Sequence, residues 1–292
     1  MDATSTAVAD TASTTCEQQA IDALCRFVEQ HPRLFVLTGA GISTDSGIPS
    51  YRDADGAWKR SAPILWQDFL GDERARRRYW ARSMVGWPIM SRARPNPAHH
   101  ALADLQATGR IERLVTQNVD GLHQSAGSQD VIELHGSLAT AVCLACGTRH
   151  ARESIQLDMQ AAHPHLVDVS AAALADGDAA LESSCIDDFR APVCSHCGGV
   201  LKPDVVFFGD SVPAPRVAEA KRALERADAM LVVGSSLMVY SGFRFCTHAV
   251  ESGKPIAAIN LGRTRADSLV ALKVSQSCAA TLDAVRRRVV DH

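Results

Sequence analysis

The sequence has no apolar run approaching the roughly 20 residues that a membrane span requires. It has no charge excess either. A formal net charge of -3 over 292 residues gives no argument for nucleic acid or an anionic membrane surface as a partner. The first fifteen residues are rich in Ala, Ser and Thr and contain Asp2 and Asp10, but no Lys, no Arg and no long apolar stretch. A secretory signal or a basic transit peptide is therefore not expected there, and a disordered tail over 1–15 is. Nor do the cysteines pair off. Nine is an odd number in a chain too long for a small disulfide-framed secreted domain, so a reducing, cytoplasmic setting is expected.

What is present suits a folded core. The chain is 46% hydrophobic and 22% charged, which predicts one large domain, or one with a small module. Its central stretch is Leu34 to Trp58. An apolar run, Leu34 to Leu37, has the look of a buried parallel strand and ends at a turn with Gly39 and Gly41. Amides at such a turn favour phosphate, although a plain strand-to-helix turn reads the same way. The dinucleotide fingerprint of dehydrogenases is not met, because Thr44 stands where its third small residue belongs.

Along the chain, Ile21, Leu24, Phe27 and Val28 repeat at helical spacing, predicting a helix over roughly 16–30 with Thr15 and Gln18 as a capping box. Residues 53–95 carry aromatics and a basic run at Arg74 to Arg78 but no strand signal, and read as a helical excursion. Asn96-Pro97 starts a helix that Gly109 stops. Ile111 to Thr116 reads as a strand running into the polar cluster Gln117 to His123, and Val131 to Leu134 as a short strand ending at His135-Gly136. A helix is predicted over Pro215 to Arg226. Strands are predicted over Ala229 to Val233 and Pro255 to Ile259, ending in the turns Gly234-Ser235-Ser236 and Asn260-Leu261-Gly262, before a last helix over Ala279 to Val290. Polar turns at the carboxyl ends of several strands are where open α/β sheets bind ligands.

Two Cys-x-x-Cys pairs, Cys143 with Cys146 and Cys194 with Cys197, suit one tetrahedral Zn²⁺, since each knuckle is local and the interval between them can bulge out. A redox role or chance spacing is the alternative. With four thiolates the metal is structural, and His196 is surplus to it.

These stretches in order resemble the sirtuins, NAD-dependent protein deacylases. The resemblance rests on Gly39-Ala40-Gly41-x-Ser43, Gly47-Ile48-Pro49-x-Tyr51-Arg52, Gln117-Asn118-Val119-Asp120-x-Leu122-His123, His135-Gly136, the two cysteine pairs, and Val200 to Asp210. Within the family, Tyr51, the long interval between the cysteine pairs, Tyr79-Trp80-Ala81-Arg82 and Leu201 to Asp210 are most similar to the class II, sirtuin-4-like branch. The resemblance implies a Rossmann-like parallel sheet over 16–142 and 198–292, a zinc-binding module inserted at 143–197, and an excursion at 53–95 that completes a smaller lobe. NAD and an acyl-lysine protein would enter between the lobes.

Position by position, the resemblance implies that Gly39, Ala40, Gly41 and Ser43 hold the pyrophosphate, with Pro49, Tyr51 and Arg52 nearby. Gln117, Asn118 and Val119 would meet ribose, and Asp120 the nicotinamide carboxamide. Gly234, Ser235 and Ser236 would contact phosphate and ribose, and Asn260, Leu261 and Gly262 the adenosine. Cys278 would touch adenine, or is a buried structural cysteine. Val205, Val206, Phe207, Phe208 and Gly209 would pair with an extended peptide. Tyr79 and Arg82 would read the acyl chain, or form a helix with Tyr79 buried and Arg82 solvated. His135 would be the general base, with Asn118 and Asp120 beside it. The reaction implied moves an acyl group from lysine to ADP-ribose and releases nicotinamide. The alternatives are a protein ADP-ribosyltransferase on the same scaffold and a non-catalytic NAD or ADP-ribose sensor.

Overall fold

The computed structural model of the protein describes residues 4–59, 63–169 and 187–291. Residues 170–186 of the expected insert lie outside these. Six parallel strands form the main sheet in the order β3-β2-β1-β7-β8-β9: β1 (Leu34–Thr38), β2 (Ile111–Thr116), β3 (Ile132–Glu133), β7 (Ala229–Val233), β8 (Ile256–Ile259) and β9 (Leu272–Val274). In the centre, Val36 of β1 stands opposite Leu114 of β2 and Leu231 of β7.

Both faces of this sheet are covered, which is why β1 and β7 are buried along their whole length and apolar except at Thr38. Side chains alternate along each strand. Val36 and Leu231 therefore face one way, into Leu24, Leu102, Leu105, Leu282 and Val285 of α1 (Thr4–Gln30), α4 (Pro97–Ala107) and α9 (Cys278–Val289). Phe35 and Val232 face the other way, into Leu224 and Phe245 of α7 (Ala214–Arg226) and α8 (Tyr240–Glu251). Each fully buried side chain of this kind contributes about 1.5–3 kcal/mol.

The smaller lobe is built differently. Its sheet is antiparallel, in the order β5-β4-β6, from β4 (Gly136–Cys143), β5 (Arg149–Ala151) and β6 (Leu201–Val205). It packs on α2 (Trp66–Gly71), α3 (Glu73–Arg92) and α6 (Arg152–Ala162) through Phe69, Tyr79, Trp80 and Phe207. Within α3, Pro88 has no N–H to give the carbonyl one turn back, that of Met84. Gln156 Nε2 of α6 donates to that carbonyl at 2.8 Å. Beside it, Arg152 donates to Ser83 O at 3.0 Å and to Gln156 Oε1 at 2.9 Å, with its guanidinium carbon 4.7 Å from the centre of the Trp87 ring. A proline defect in one helix is thus repaired by side chains of another.

The sequence reading needs three corrections. Helix α1 starts at Thr4 rather than near 16, so residues 4–15 are helical backbone, not the expected disordered tail. No Gly or Pro interrupts the chain before Pro32, and alanine favours continuation of a helix. The small-lobe sheet runs from Gly136 to Val205, wider than the expected 143–197, because β4 and β6 pair with each other outside the cysteine knuckles. Strand β9 was not anticipated. Asn96 caps α4 as expected, accepting from the Ala98 amide at 2.9 Å.

Candidate active site and metal centre

The carboxyl ends of β1, β2, β7 and β8 open into a cleft of about 1180 Å³, bounded on the other side by Val205 to Val212. Hydrogen bonds stitch its strand-end turns together. Gln117 Nε2 donates to Ser235 Oγ at 2.8 Å and to Thr38 O at 3.2 Å. Asn118 Nδ2 donates to Gly39 O at 3.2 Å and Ser43 Oγ at 3.1 Å, and Ser43 Oγ donates to Asp120 Oδ2 at 2.8 Å. The turns after β1 and β7 also interlock. A Cβ on Gly41 would lie 2.8 Å from Gly234 O, so the close approach demands glycine. Leu237, next along the β7 turn, sits at φ +57°, an uncommon conformation for leucine. Its amide bond to Ser235 Oγ at 3.2 Å helps to hold it there.

Every expected cofactor residue lines this cleft except Pro49, and every expected substrate residue except Arg82. Tyr79 points in while packing edge-on to Phe69 and Phe207. Arg82 stands three residues on, about 60° further round the helix, and falls outside the lining. Arg52 folds onto its own loop, donating to Gly56 O at 2.7 Å with its guanidinium carbon 3.9 Å from the Trp58 ring centre. Cys278 lines the cleft but is 8% exposed, and burial pushes its thiol up to about 12. It is a neutral cleft-wall thiol.

His135 lies two residues beyond the end of β3 and precedes Gly136, whose φ of +85° and contact with the Asp204 carbonyl leave no room for a side chain. Its Nδ1 is 2.9 Å from Gln117 O, and its Nε2 is 2.8 Å from Ser241 Oγ. A carbonyl only accepts, so Nδ1 carries the proton and Nε2 offers its lone pair to the Ser241 hydroxyl. Burial, with the charges of Arg216 and Arg244 added and the hydrogen bond to Gln117 O opposing, lowers the His135 pKa to about 4, so the ring is neutral near pH 7. Asp120 is raised chiefly by burial, against bonds from Leu122 N–H and Ser43 that favour its charged form. The other histidine of the motif, His123, is structural, with Nε2 2.9 Å from Thr38 Oγ1.

The residues fit the two groups implied by the sequence. The four cysteine sulfurs lie within 4.8 Å of one another, with Cys143 to Cys197 at 3.5 Å and Cys146 to Cys194 at 3.8 Å. Zn–S bonds of about 2.3 Å in a tetrahedron require S···S of about 3.8 Å. Thr148 holds the Cys146 thiol down to about 6, and His150 Nε2 is 3.2 Å from Cys194 Sγ. His196 is exposed and takes no part. For a dinucleotide, the fit lies in the paired turns after β1 and β7, which bring Ala40, Gly41, Ser235 and Ser236 to one wall of a cleft of this size.

Ser241, Arg244 and His150 were missed by sequence reasoning. Ser241 contacts His135 across 106 positions, and nothing in the local pattern marks it. His150 lies four residues beyond Cys146, a signal that spacing alone left unread.

Comparison with known proteins agrees with this geometry. The Sir2 family model matches residues 39–241. A curated NAD-dependent protein deacetylase of Xanthomonas campestris pv. campestris (strain 8004) is 59% identical over 260 residues, covering 89% of each chain. NAD-dependent protein deacetylase 2 of Bradyrhizobium diazoefficiens is 56% identical, covering 88% of this chain and 94% of its own. A solved Sir2–peptide–NAD+ complex superimposes with a TM-score of 0.72 at 31% identity, covering 92% of this chain and 96% of that one.

Proposed function

The chain belongs to the Sir2 family, and from that premise we propose how its cleft works as an NAD-dependent protein deacetylase. The carrying observation is the neutral ring of His135, fixed at Nδ1 by Gln117 O and lying in the wall of the cleft. When bound, NAD supplies an electrophilic ribose carbon with nicotinamide as leaving group, and carries the acyl group away. Amides of the β1 and β7 turns would hold its phosphates. Asp120 would accept from the carboxamide, and Asn118, tied to Gly39 and Ser43, keeps that turn in register. His135 takes the proton from a ribose hydroxyl at Nε2, a task that needs neutral imidazole. Ser241 holds that lone pair in direction until the hydroxyl arrives. Val205 to Gly209 lie along the acyl-lysine strand. Aromatic Phe207 and Tyr79 keep water from that end of the cleft.

The four cysteines would hold one structural zinc, with no position left open for chemistry. We also place the chain in the class II, sirtuin-4-like branch, on Tyr79 to Arg82 and Leu201 to Asp210. No described helix is long and apolar enough to cross a membrane. A cytoplasmic setting, with acyl-lysine proteins and not nucleic acid or membrane as partners, completes the reading. Incubating the protein with NAD and an acetyl-lysine peptide should give free lysine, nicotinamide and O-acetyl-ADP-ribose by mass spectrometry. ADP-ribosylated protein without free lysine would favour the transferase alternative, and no product the sensor.

A further inference from the structure

The four cysteine sulfurs do not share one kind of neighbour. Cys146 Sγ lies 3.2 Å from Thr148 Oγ1, two residues on, and takes a bond from the Thr148 amide as well. Cys197 takes a bond from the amide of Gly199, again two residues on. Both of these cysteines are exposed, so water also reaches them. Cys194 is different. It is 2% exposed, and the group on its sulfur is His150 Nε2, 3.2 Å away and 44 positions back in the chain.

Strand β5 puts His150 there. It pairs antiparallel with β4, with Ala141 opposite His150 and Val142 opposite Arg149. Side chains alternate along it, so Arg149 and Ala151 take the exposed face and His150 the half-buried one. Asp204 holds Arg149 on the outside at 2.9 Å. The β4–β5 hairpin carries Cys143 and Cys146, whereas Cys194 opens the second knuckle. The His150 ring therefore ties one knuckle to the other across the interval between them. It is not a fifth ligand. The group placed to hold a metal is the four sulfurs without His150, and four thiolates complete a tetrahedron.

We propose that His150 donates a hydrogen bond to the Cys194 thiolate and is the residue outside the ligand set that makes the zinc hard to remove. A metal-bound thiolate accepts, so Nε2 carries a proton. Two effects follow. Four thiolates on one Zn²⁺ leave an excess of negative charge, and a sulfur shut off from water has to find its donor in the protein. Bonds to an ionised acceptor are the stronger kind. The same bond also holds Cys194 against the first knuckle before metal arrives, so less chain has to be ordered when zinc binds. The proposal rests on the reading of the four cysteines as a zinc site.

The test uses the full chain loaded with one zinc, as wild type, His150→Phe and His150→Gln. Phenylalanine keeps a planar ring and loses the donor, whereas glutamine keeps an N–H. The first readout is zinc affinity, by competition with a chromophoric chelator. His150→Phe should hold zinc about tenfold more weakly, the low end for a group that bonds a metal ligand. His150→Gln should recover most of that loss. The second readout needs no variant, so it decides the matter even if a variant fails to fold. Nitrogen NMR of zinc-loaded wild type should show the His150 proton on Nε2. Unchanged affinity in His150→Phe, an equal loss in both variants, or an Nε2 without a proton overturns the proposal. If wild type binds no zinc, the zinc-site reading fails. Alkylation by iodoacetamide, followed at each cysteine by mass spectrometry, then decides the contact by itself. Faster labelling of Cys194 in His150→Phe than in wild type supports it, and equal labelling overturns it.

Discussion

The two lobes solve the problem of burial in opposite ways. The large lobe buries continuous aliphatic strands under helices on both sides, with Val36, Leu231 and Val232 fully out of solvent. Its stability lies in transfer of apolar surface from water. The small lobe has a three-stranded sheet, an aromatic cluster, a proline-broken helix repaired by Arg152 and Gln156, and four cysteines of which only Cys143 and Cys194 reach its core. Cys146 and Cys197 are exposed. One lobe is held by its own side chains, and the other would be held in part by the zinc its cysteines suit. His135, the base in the proposed mechanism, lies between β3 of the first and β4 of the second, where the two regimes meet.

Removing the metal should break that comparison most sharply. Cys194→Ser, or exhaustive chelation, is expected to unfold the small lobe at a cost of several kcal/mol, a large share of the binding free energy of a structural zinc. Hydrogen exchange should show β4 and β6 losing protection while β1 and β7 keep theirs. Elemental analysis of protein purified without chelator should give one zinc per chain. Protein free of metal with β4 and β6 fully protected would refute the dependence.

Acid should do the reverse and attack the large lobe. His99 and His123 are buried with ring centroids 4.9 Å apart, and burial lowers their pKa values to about 4 and about 3. Unfolded, each titrates near 6.5, so the unfolded chain binds more protons below that pH. Stability from their neutral burial is fully present above pH 6.5 and is lost as pH falls toward 4. The two together should lose about 4 kcal/mol between pH 7 and pH 5. Denaturant melts over that range should show the slope, and His123→Asn should flatten it. A pH-independent midpoint would contradict the burial argument.

How much of this was legible in the sequence differs between the lobes for the same reason. Strands β1 and β7 are apolar runs, but for Thr38, because both faces of the sheet are covered, and each expected strand matches the observed bounds within a residue. The cysteine knuckles were legible because their spacing is local. Strands β5 and β9 have three residues each, too short to show an alternation, so they exist only through partners. The early start of α1 was hidden by a polar composition that reads equally as tail or helix. At the site, residues within motifs were legible. Ser241 and Arg244 were not, because their meaning is a contact made by α8 across the fold.

At the seam itself, His135→Tyr should remove the base without touching either lobe's core. Deacetylation is expected to fall by about 10²-fold or more, the low end of general-base contributions, while zinc content and the thermal midpoint stay near wild type. Nicotinamide exchange should persist in part, since the first displacement does not need the base. Near wild-type deacetylation by a folded His135→Tyr protein would reject the assignment.

The smallest expected effect is the most discriminating. Ser241 is 9% exposed and its hydroxyl is 2.8 Å from the His135 nitrogen that takes the proton in the proposed mechanism. With Nδ1 committed to Gln117 O, the ring has one free acceptor, and the serine hydroxyl is what fixes its direction. Ser241→Ala leaves the Nδ1 bond and the lowered pKa in place but frees the ring to tilt. The expected loss is about tenfold in deacetylation, or about 1.4 kcal/mol of transition-state stabilisation, with nicotinamide exchange nearly unchanged. A purely structural serine would depress both reactions together. Ser241→Thr keeps the hydroxyl and should recover most of the rate. Equal losses in both half-reactions, or no recovery with threonine, would show that Ser241 serves the packing of α8 and not the aim of the base.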